Sequence, residues 1–252
     1  MTQEFVGKCV VITGGSSGIG LETSRAFAAA GAKVAIIGRN ADRLNAAVAE
    51  LGAGGLAVVA DMGDVAQISR AIDHIAAAFG QIDVVFANAG TGAIMPFDSV
   101  DEALWDNVMN VNLKGTFFLA QHACRHMTAG GSIILCGSVG GSRIWPGAAV
   151  YSASKAAIEV LGNALAGELV SAGIRVNVVV PGGIDTPIMQ HTPGIPPEAA
   201  GAVMEQMAAG TPMRRLGAPR EVADAVLFLA SQRASYVTAT RLVVDGGLLG
   251  AA

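Results

Sequence analysis

Short apolar runs alternate with helix-patterned segments along the whole chain, and the runs are apolar at consecutive positions instead of every second one. A strand with Val, Ile or Ala at each position has to be covered on both faces. Such runs fall at residues 8–12, 33–37, 56–59, 83–87, 132–136, 175–180 and 242–245. Helical patterns lie between them at 18–30, 41–51, 64–79, 99–127, 151–171 and 219–230. Asp64-Val-Ala-Gln67 and Ser99-Val-Asp-Glu102 read as capping boxes, and Gly31 and Gly173 as helix stops. Strands covered on both faces and separated by helices predict an α/β chain with a parallel sheet, and right-handed crossovers make that sheet doubly wound. No repeat, linker or composition break divides it, so residues 1–252 are expected to form a single domain.

Composition narrows the partners. Hydrophobic residues make up 52% and charged residues 14%, which suits a large core with further surface hidden between subunits. The net charge of −4 comes with no basic stripe, so a nucleic-acid partner is not expected. The start, Met1-Thr-Gln-Glu-Phe5, has no basic segment ahead of an apolar run, and no apolar run approaches the ~18 residues of a membrane span. A cytoplasmic chain without a membrane partner is the expectation. Cys9, Cys124 and Cys136 are odd in number and lack CxxC spacing, which fits reduced thiols. His74, His122, His126 and His191 do not cluster with cysteines or carboxylates; they read as surface or helix-face residues, with no metal expected.

In a doubly wound sheet ligands bind beyond the carboxyl ends of the strands. The turn after the first strand is Thr13-Gly14-Gly15-Ser16-Ser17-Gly18-Ile19-Gly20, and it opens the first helix. Glycines there allow close backbone approach, and the helix start offers free N–H groups to a pyrophosphate. An Asp or Glu about 20 residues on would hold a ribose 2′-hydroxyl. That position is Gly38, followed by Arg39, so a 2′-phosphate meets a guanidinium and NADP(H) is read over NAD(H). Asp61 follows the third strand and could take an adenine amino group or cap the next helix. Asn88-Ala89-Gly90 follows the fourth, where Asn88 could meet a ligand or brace the strand ends. Ser138 follows the fifth, and Pro181-Gly182-Gly183-Ile184-Asp185-Thr186 the sixth. Tyr151 and Lys155 lie four residues apart, thirteen residues and more beyond Ser138. On one helix face the ammonium stabilises a phenolate, which suits proton exchange with an alcohol or carbonyl. Asn112, inside the long helix, could distort it and orient a water beside Lys155.

With these pieces in this order, the chain resembles the short-chain dehydrogenase/reductase family along essentially its whole length. The matching residues are the glycine turn 13–20, Asn88-Ala-Gly90, Asn112, Ser138, Tyr151-x-x-x-Lys155, Pro181-Gly182 and Val244-Asp-Gly-Gly247. The resemblance implies a seven-stranded Rossmann sheet and hydride transfer at the nicotinamide C4. It implies Tyr151 as general acid/base, Ser138 on the substrate oxygen, Lys155 on the phenol and the nicotinamide ribose, and Asn112 on a relay water. It places Ser17 and Ile19 at the pyrophosphate, Ile184 and Thr186 near the carboxamide, and implies a homotetramer. Two positions depart from the family pattern: Ala87-Asn-Ala-Gly90 where many members carry two asparagines, and Ala239 where glycine is common.

The substrate side is expected to use Ile144 and Trp145 in the loop 140–147, Gly183, and Met189 in segment 187–213, a candidate lid that also carries Met204, Met207 and Met213. The expected function is NADP(H)-dependent interconversion of a small-molecule carbonyl and a secondary alcohol. One alternative is a 3-oxoacyl-[acyl-carrier-protein] reductase, for which Arg125, His126 and Arg143 would supply a basic patch. The other is a non-catalytic dinucleotide sensor.

Overall fold

The computed structural model describes residues 3–250; positions 1, 2, 251 and 252 of the expected domain, and with them Met1 and Thr2 of the amino-terminal reading, lie outside the described residues. The strands are β1 (Cys9–Thr13), β2 (Lys33–Gly38), β3 (Gly55–Val59), β4 (Val84–Ala87), β5 (Ser132–Cys136), β6 (Arg175–Pro181) and β7 (Arg241–Val244). The helices are α1 (Gly18–Ala29), α2 (Ala41–Leu51), α3 (Val65–Phe79), α4 (Glu102–Met109), α5 (Gly115–Cys124), α6 (Ala149–Leu169), α7 (Ala200–Gly210) and α8 (Pro219–Ala230). All strand pairs are parallel, in the order β3-β2-β1-β4-β5-β6-β7. This is the doubly wound parallel sheet that the alternating runs predict, and the seven-stranded Rossmann sheet that the resemblance implies.

Consecutive apolar residues in the strands serve two cores in turn. Val11, Ala35, Ile37, Val85, Ile133, Leu135 and Val178 face one side, where Ile68 and Ile72 of α3, Leu119 of α5 and Ile158 of α6 close over them. Val10, Ile12, Val34, Ile36, Phe86 and Ile134 face the other, against Phe27 of α1, Leu44 of α2 and Val222 and Val226 of α8. Each fully buried side chain of this size contributes about 1.5–3 kcal/mol. A one-residue slip of any central strand would exchange its two faces, so the register is firmly set.

Several local expectations change. The helix predicted over 99–127 is three pieces: α4, a π-helical turn at Asn110–Lys114, and α5. Its cap is Asp101, whose Oδ1 accepts the Leu104 amide at 2.7 Å; Ser99 sits in a preceding 3-10 turn. Asp64 does cap α3, accepting the amides of Ala66 and Gln67, but Gln67 Oε1 reaches back to the Asp61 amide and not to that of Asp64. The helix with Tyr151 starts two residues earlier, at Ala149, and Gly173 ends its trailing 3-10 turn at φ +73°. His122 is buried, not on the surface: neither ring nitrogen has a hydrogen-bond partner, and the ring stacks on Phe118. Burial holds its pKa below the usual imidazole range. Cys9 and Cys136 are core residues and all three cysteines are free, with burial pushing the Cys9 thiol up to about 12.

Ala239 is held at φ +57° while its amide donates to the Val176 carbonyl at 2.8 Å. A Cβ in that region costs on the order of 1 kcal/mol, which glycine avoids. Ala239→Gly is therefore expected to raise the Tm by roughly 2–4 °C without altering activity. A Tm that stays put or falls in a calorimetric scan would show that the turn carries no strain.

Candidate active site

The strand order reverses direction between β1 and β4, and the turns that follow these two strands meet there. Thr13, the last residue of β1, accepts the amides of Asn88 and Ala89 on its hydroxyl at 3.0 and 2.9 Å. Asn88 Nδ2 returns the contact, donating to the Thr13 carbonyl at 2.9 Å and the Gly14 carbonyl at 3.4 Å. Of the two roles open to Asn88, the structure spends its amide on bracing, while Ala89 and Gly90 border the opening.

The glycine turn forms a cradle that side chains would fill. A Cβ on Gly20 would lie 2.2 Å from the Gly14 carbonyl oxygen, and Gly14 and Gly18 hold φ of +65° and +50°. Ser17 is the N-cap of α1, but its hydroxyl caps no amide of the first turn. Those amides are left for a ligand, which fits a pyrophosphate. Across from them stands Thr186, whose methyl would be 3.1 Å from a Cβ on Gly18. Ser16 and Ile19 are half-buried beside the turn, and Ile19 packs on the core below. Arg39 is exposed directly after β2. Asp61 binds the Gly63 amide at 2.8 Å through one carboxylate oxygen. Pro181 ends β6, Gly182 passes so close to Asp245 that a Cβ would lie 2.7 Å from its Cα, and Ile184 pairs with Gly217. Asp245 itself holds the amides of Gly247 and Leu249, so the Val244-Asp-Gly-Gly247 motif is a turn brace.

The residues expected to handle the proton converge on the same edge. Lys155 is buried, and its Nζ donates to the Cys136 carbonyl at 2.8 Å while lying 6.0 Å from the centre of the Tyr151 ring. Tyr151 and Ser138 flank Gly140: a Cβ there would be 2.9 Å from Tyr151 Cε1 and 3.3 Å from Ser138 Oγ. Gly90 does the same for the other two, since its Cβ would be 3.4 Å from Lys155 Nζ and 3.3 Å from Asn112 Oδ1. Ser138 Oγ accepts the Gly140 amide at 3.0 Å, which leaves its own hydrogen free to donate. Asn112 lies in the π-helical turn, where the helix is distorted. Both hydrogens of its amide are used, on the Thr91 carbonyl and on Ser154, so its side chain offers a water an oxygen only.

Around this centre, Ile144 is exposed and Trp145 is partly covered by the guanidinium of Arg143. Gly183 is buried against Leu216 and Met207, which limits it to backbone contacts. Met189 is half-buried in the turn Pro187–His191, and Met213 is exposed beside Gly246. The loop after β4 ties these pieces together. Ile94 donates to the Pro193 carbonyl and Met95 to the Gly147 carbonyl, both at 2.9 Å, joining segment 192–194 to the loop 140–147. Gly194 sits at φ +88°, and a Cβ on it would fall 1.5 Å from the Ile94 carbonyl oxygen.

The expected basic patch is not assembled. Arg125 and His126 precede β5 and border a hollow with Asp73 and Gln81 at the amino edge of the sheet, the end opposite Ser138. Of the three, Arg143 alone belongs to the cleft loops. Among the described residues no three His, Cys, Asp or Glu side chains are grouped as metal ligands, and no helix is long and apolar enough to cross a membrane.

Known proteins share this architecture. A family model described as enoyl-(acyl carrier protein) reductase matches residues 14–249. Cis-4-hydroxycyclohexanecarboxylate dehydrogenase of Sinomonas cyclohexanicum is 38% identical over 252 residues, covering 98% of each chain. Galactitol 2-dehydrogenase (L-tagatose-forming) of Cereibacter sphaeroides is 39% identical over 249 residues, covering 96% of this chain and 94% of its own. The solved structure of a short chain dehydrogenase from Burkholderia cenocepacia in complex with NADP superposes with a TM-score of 0.89 at 33% identity, covering 97% of this chain and 99% of that one. The chain belongs to the short-chain dehydrogenase/reductase family. It is an oxidoreductase of CH–OH groups that works with a nicotinamide dinucleotide.

Thr13, Thr91 and Ser154 were not singled out from the sequence. Small hydroxyl residues carry no spacing signal; here the Thr13 hydroxyl holds the amides of Asn88 and Ala89, the Thr91 backbone holds the Asn112 side chain, and the Ser154 hydroxyl accepts from that same side chain. Gly194 leads to a direct test. Gly194→Ala should part segment 192–194 from Ile94, so limited proteolysis within 187–199 should speed up by about tenfold while the Tm moves by only a few degrees. Unchanged cleavage would show that the Ile94–Pro193 contact does not hold this segment.

Proposed function

We propose that the chain is an NADP(H)-dependent oxidoreductase that interconverts a ketone carried on a carbocyclic ring and its secondary alcohol, with Tyr151 as general acid/base. The observation that carries this reading is the meeting of Ser138, Tyr151, Lys155 and Asn112 around Gly140 and Gly90, next to the glycine cradle. When bound, the nicotinamide supplies or takes up the hydride. In reduction, negative charge grows on the substrate oxygen, and Ser138 has a free hydrogen to donate to it. Tyr151 then delivers the proton, and the ammonium of Lys155 stabilises the phenolate left behind. Lys155 gives one hydrogen to the Cys136 carbonyl and keeps two, enough for a ribose hydroxyl and the phenolate. In the opposite direction the same groups take up the proton.

Arg39 in place of a carboxylate supports NADP(H), and the Burkholderia relative was solved with NADP. The two curated relatives point to different substrates, a cyclohexane ring and an open polyol. Ile144, Trp145, Met189 and Met207 favour the ring, since a polyol needs a polar partner for each hydroxyl. Segment 187–213 acts as a substrate lid, latched by Ile94 and Gly194. The acyl-carrier reading has the description of the family model in its favour. It lacks the basic surface that an acidic carrier requires, because Arg125 and His126 stand at the far edge. A sensor has no need of the complete proton-handling set. Three free cysteines fit a cytoplasmic location. A homotetramer fits the exposed small residues Ala153, Ala164 and Gly167 along α6, and a neighbouring groove of about 450 Å³ lined by Met109, Leu113, Phe117 and Leu161.

NADPH consumption measured with 4-oxocyclohexanecarboxylate, L-tagatose and 3-oxoacyl thioesters tests the substrate class. The cyclic ketone should give the highest kcat/KM, and preference for a thioester would replace this reading. Tyr151→Phe should bind NADPH in a fluorescence titration as the wild type does, yet lose on the order of 10²–10⁴ in kcat. Retained turnover would remove Tyr151 from the mechanism. Arg39→Asp should lower kcat/KM for NADPH by about tenfold or more and spare NADH; a wild type that already prefers NADH would contradict the assignment of Arg39.

A further inference from the structure

Asn112 and Ser154 are buried polar side chains beside Tyr151 and Lys155 that neither give nor take the transferred proton. Asn112 accepts the Thr91 amide at 2.8 Å and donates to the Thr91 carbonyl at 3.0 Å. Its second hydrogen goes to Ser154 Oγ at 3.0 Å. Ser154 is fully buried and passes the contact on, donating to the Tyr151 carbonyl at 2.7 Å. One unbroken chain of hydrogen bonds therefore joins the loop after β4, the π-helical turn and the first turn of α6.

The first two turns carry Tyr151 and Lys155, and the helix start lacks an ordinary cap. Its N-cap residue is Ala148, which has no side-chain acceptor to offer. Something other than capping has to fix the start of the helix. A serine or threonine bonding back to its own helix is common and carries no such meaning. Thr23, Ser24, Thr116 and Thr211 all do this here. Ser154 differs because it also accepts a buried amide hydrogen from another element. Removing its hydroxyl would leave that hydrogen unpaired in the interior.

We propose that Ser154 is a positioning residue for proton transfer: through Asn112 it locks the first turn of α6 to Thr91, and so sets where the Tyr151 hydroxyl stands relative to the floor formed by Gly90. The proposal rests on Tyr151 being the proton donor. Networks of this kind act as a unit, and misplacing a reacting group by a fraction of an ångström costs rate more than binding.

The test measures steady-state reduction of 4-oxocyclohexanecarboxylate with NADPH. Ser154→Ala should lower kcat by about tenfold with KM and the NADPH dissociation constant within about twofold, and should raise the solvent deuterium isotope effect on kcat. Ser154→Thr, which keeps the hydroxyl, should recover most of the rate. In an Asn112→Ala background, Ser154→Ala should cost little more. A kcat within about twofold of wild type, or a loss that follows lowered Tm and weaker NADPH binding with no rise in the isotope effect, would overturn the role of Ser154. The two readings fail separately: an active Tyr151→Phe removes the proton donor itself, while an inactive Tyr151→Phe beside a fully active Ser154→Ala removes only this inference.

Discussion

The contact between β1 and β4 is what the rest of the site depends on. These strands are distant in sequence and adjacent in the sheet, and the chain crosses over on either side of them. At their carboxyl ends the Thr13 hydroxyl accepts the backbone amides of Asn88 and Ala89, and the Asn88 side-chain amide donates to the carbonyls of Thr13 and Gly14. That clamp fixes the glycine turn of residues 14–20 against Ala89 and Gly90. Gly90 in turn lies against Lys155 and Asn112, so the floor for a dinucleotide and the proton-handling residues share one reference point. Two cores, one on each face of the sheet, keep that reference rigid.

Around this floor, glycine does what no side chain could. Gly20 against the Gly14 carbonyl, Gly140 between Tyr151 and Ser138, and Gly194 against the Ile94 carbonyl are three close approaches in three different loops. On the proposed function the first makes room for phosphate and the second lets serine and tyrosine address one oxygen; the third lets segment 192–194 close on the loop after β4. The polar side chains are few and almost all committed. Asn88 and Asn112 serve the backbone, which leaves Ser138, Tyr151 and Lys155 with hydrogens to give.

Much of this was legible in the sequence, for physical reasons. Strands buried on both faces announce themselves as unbroken apolar runs, and their alternation with helices leaves few topologies. The strand ends then had to converge, so Gly14, Gly90, Ser138 and Thr186 could be placed on one edge before any distance was known. What was hidden has separate physical causes. The π-helical turn at Asn110–Lys114 shifts the helix by a residue, which periodicity does not register. Asn88 and Asn112 are bound to backbone groups of Thr13 and Thr91, and backbone groups leave no mark on a sequence. Asp101 in place of Ser99 as a cap reflects two acceptors competing within one capping box. Arg125 and His126 are basic residues at the far edge of the sheet, and charge alone does not say which edge a residue occupies.

A crystal structure of the protein with NADP⁺ tests the central claim, that one cradle holds the dinucleotide and presents it to Tyr151, Ser138 and Lys155. The account predicts the pyrophosphate at the start of α1 between Gly18 and Thr186, the 2′-phosphate at Arg39, and Lys155 Nζ within about 3.2 Å of a nicotinamide-ribose oxygen. A nicotinamide ring lying away from Tyr151, with its ribose out of reach of Lys155, would contradict it.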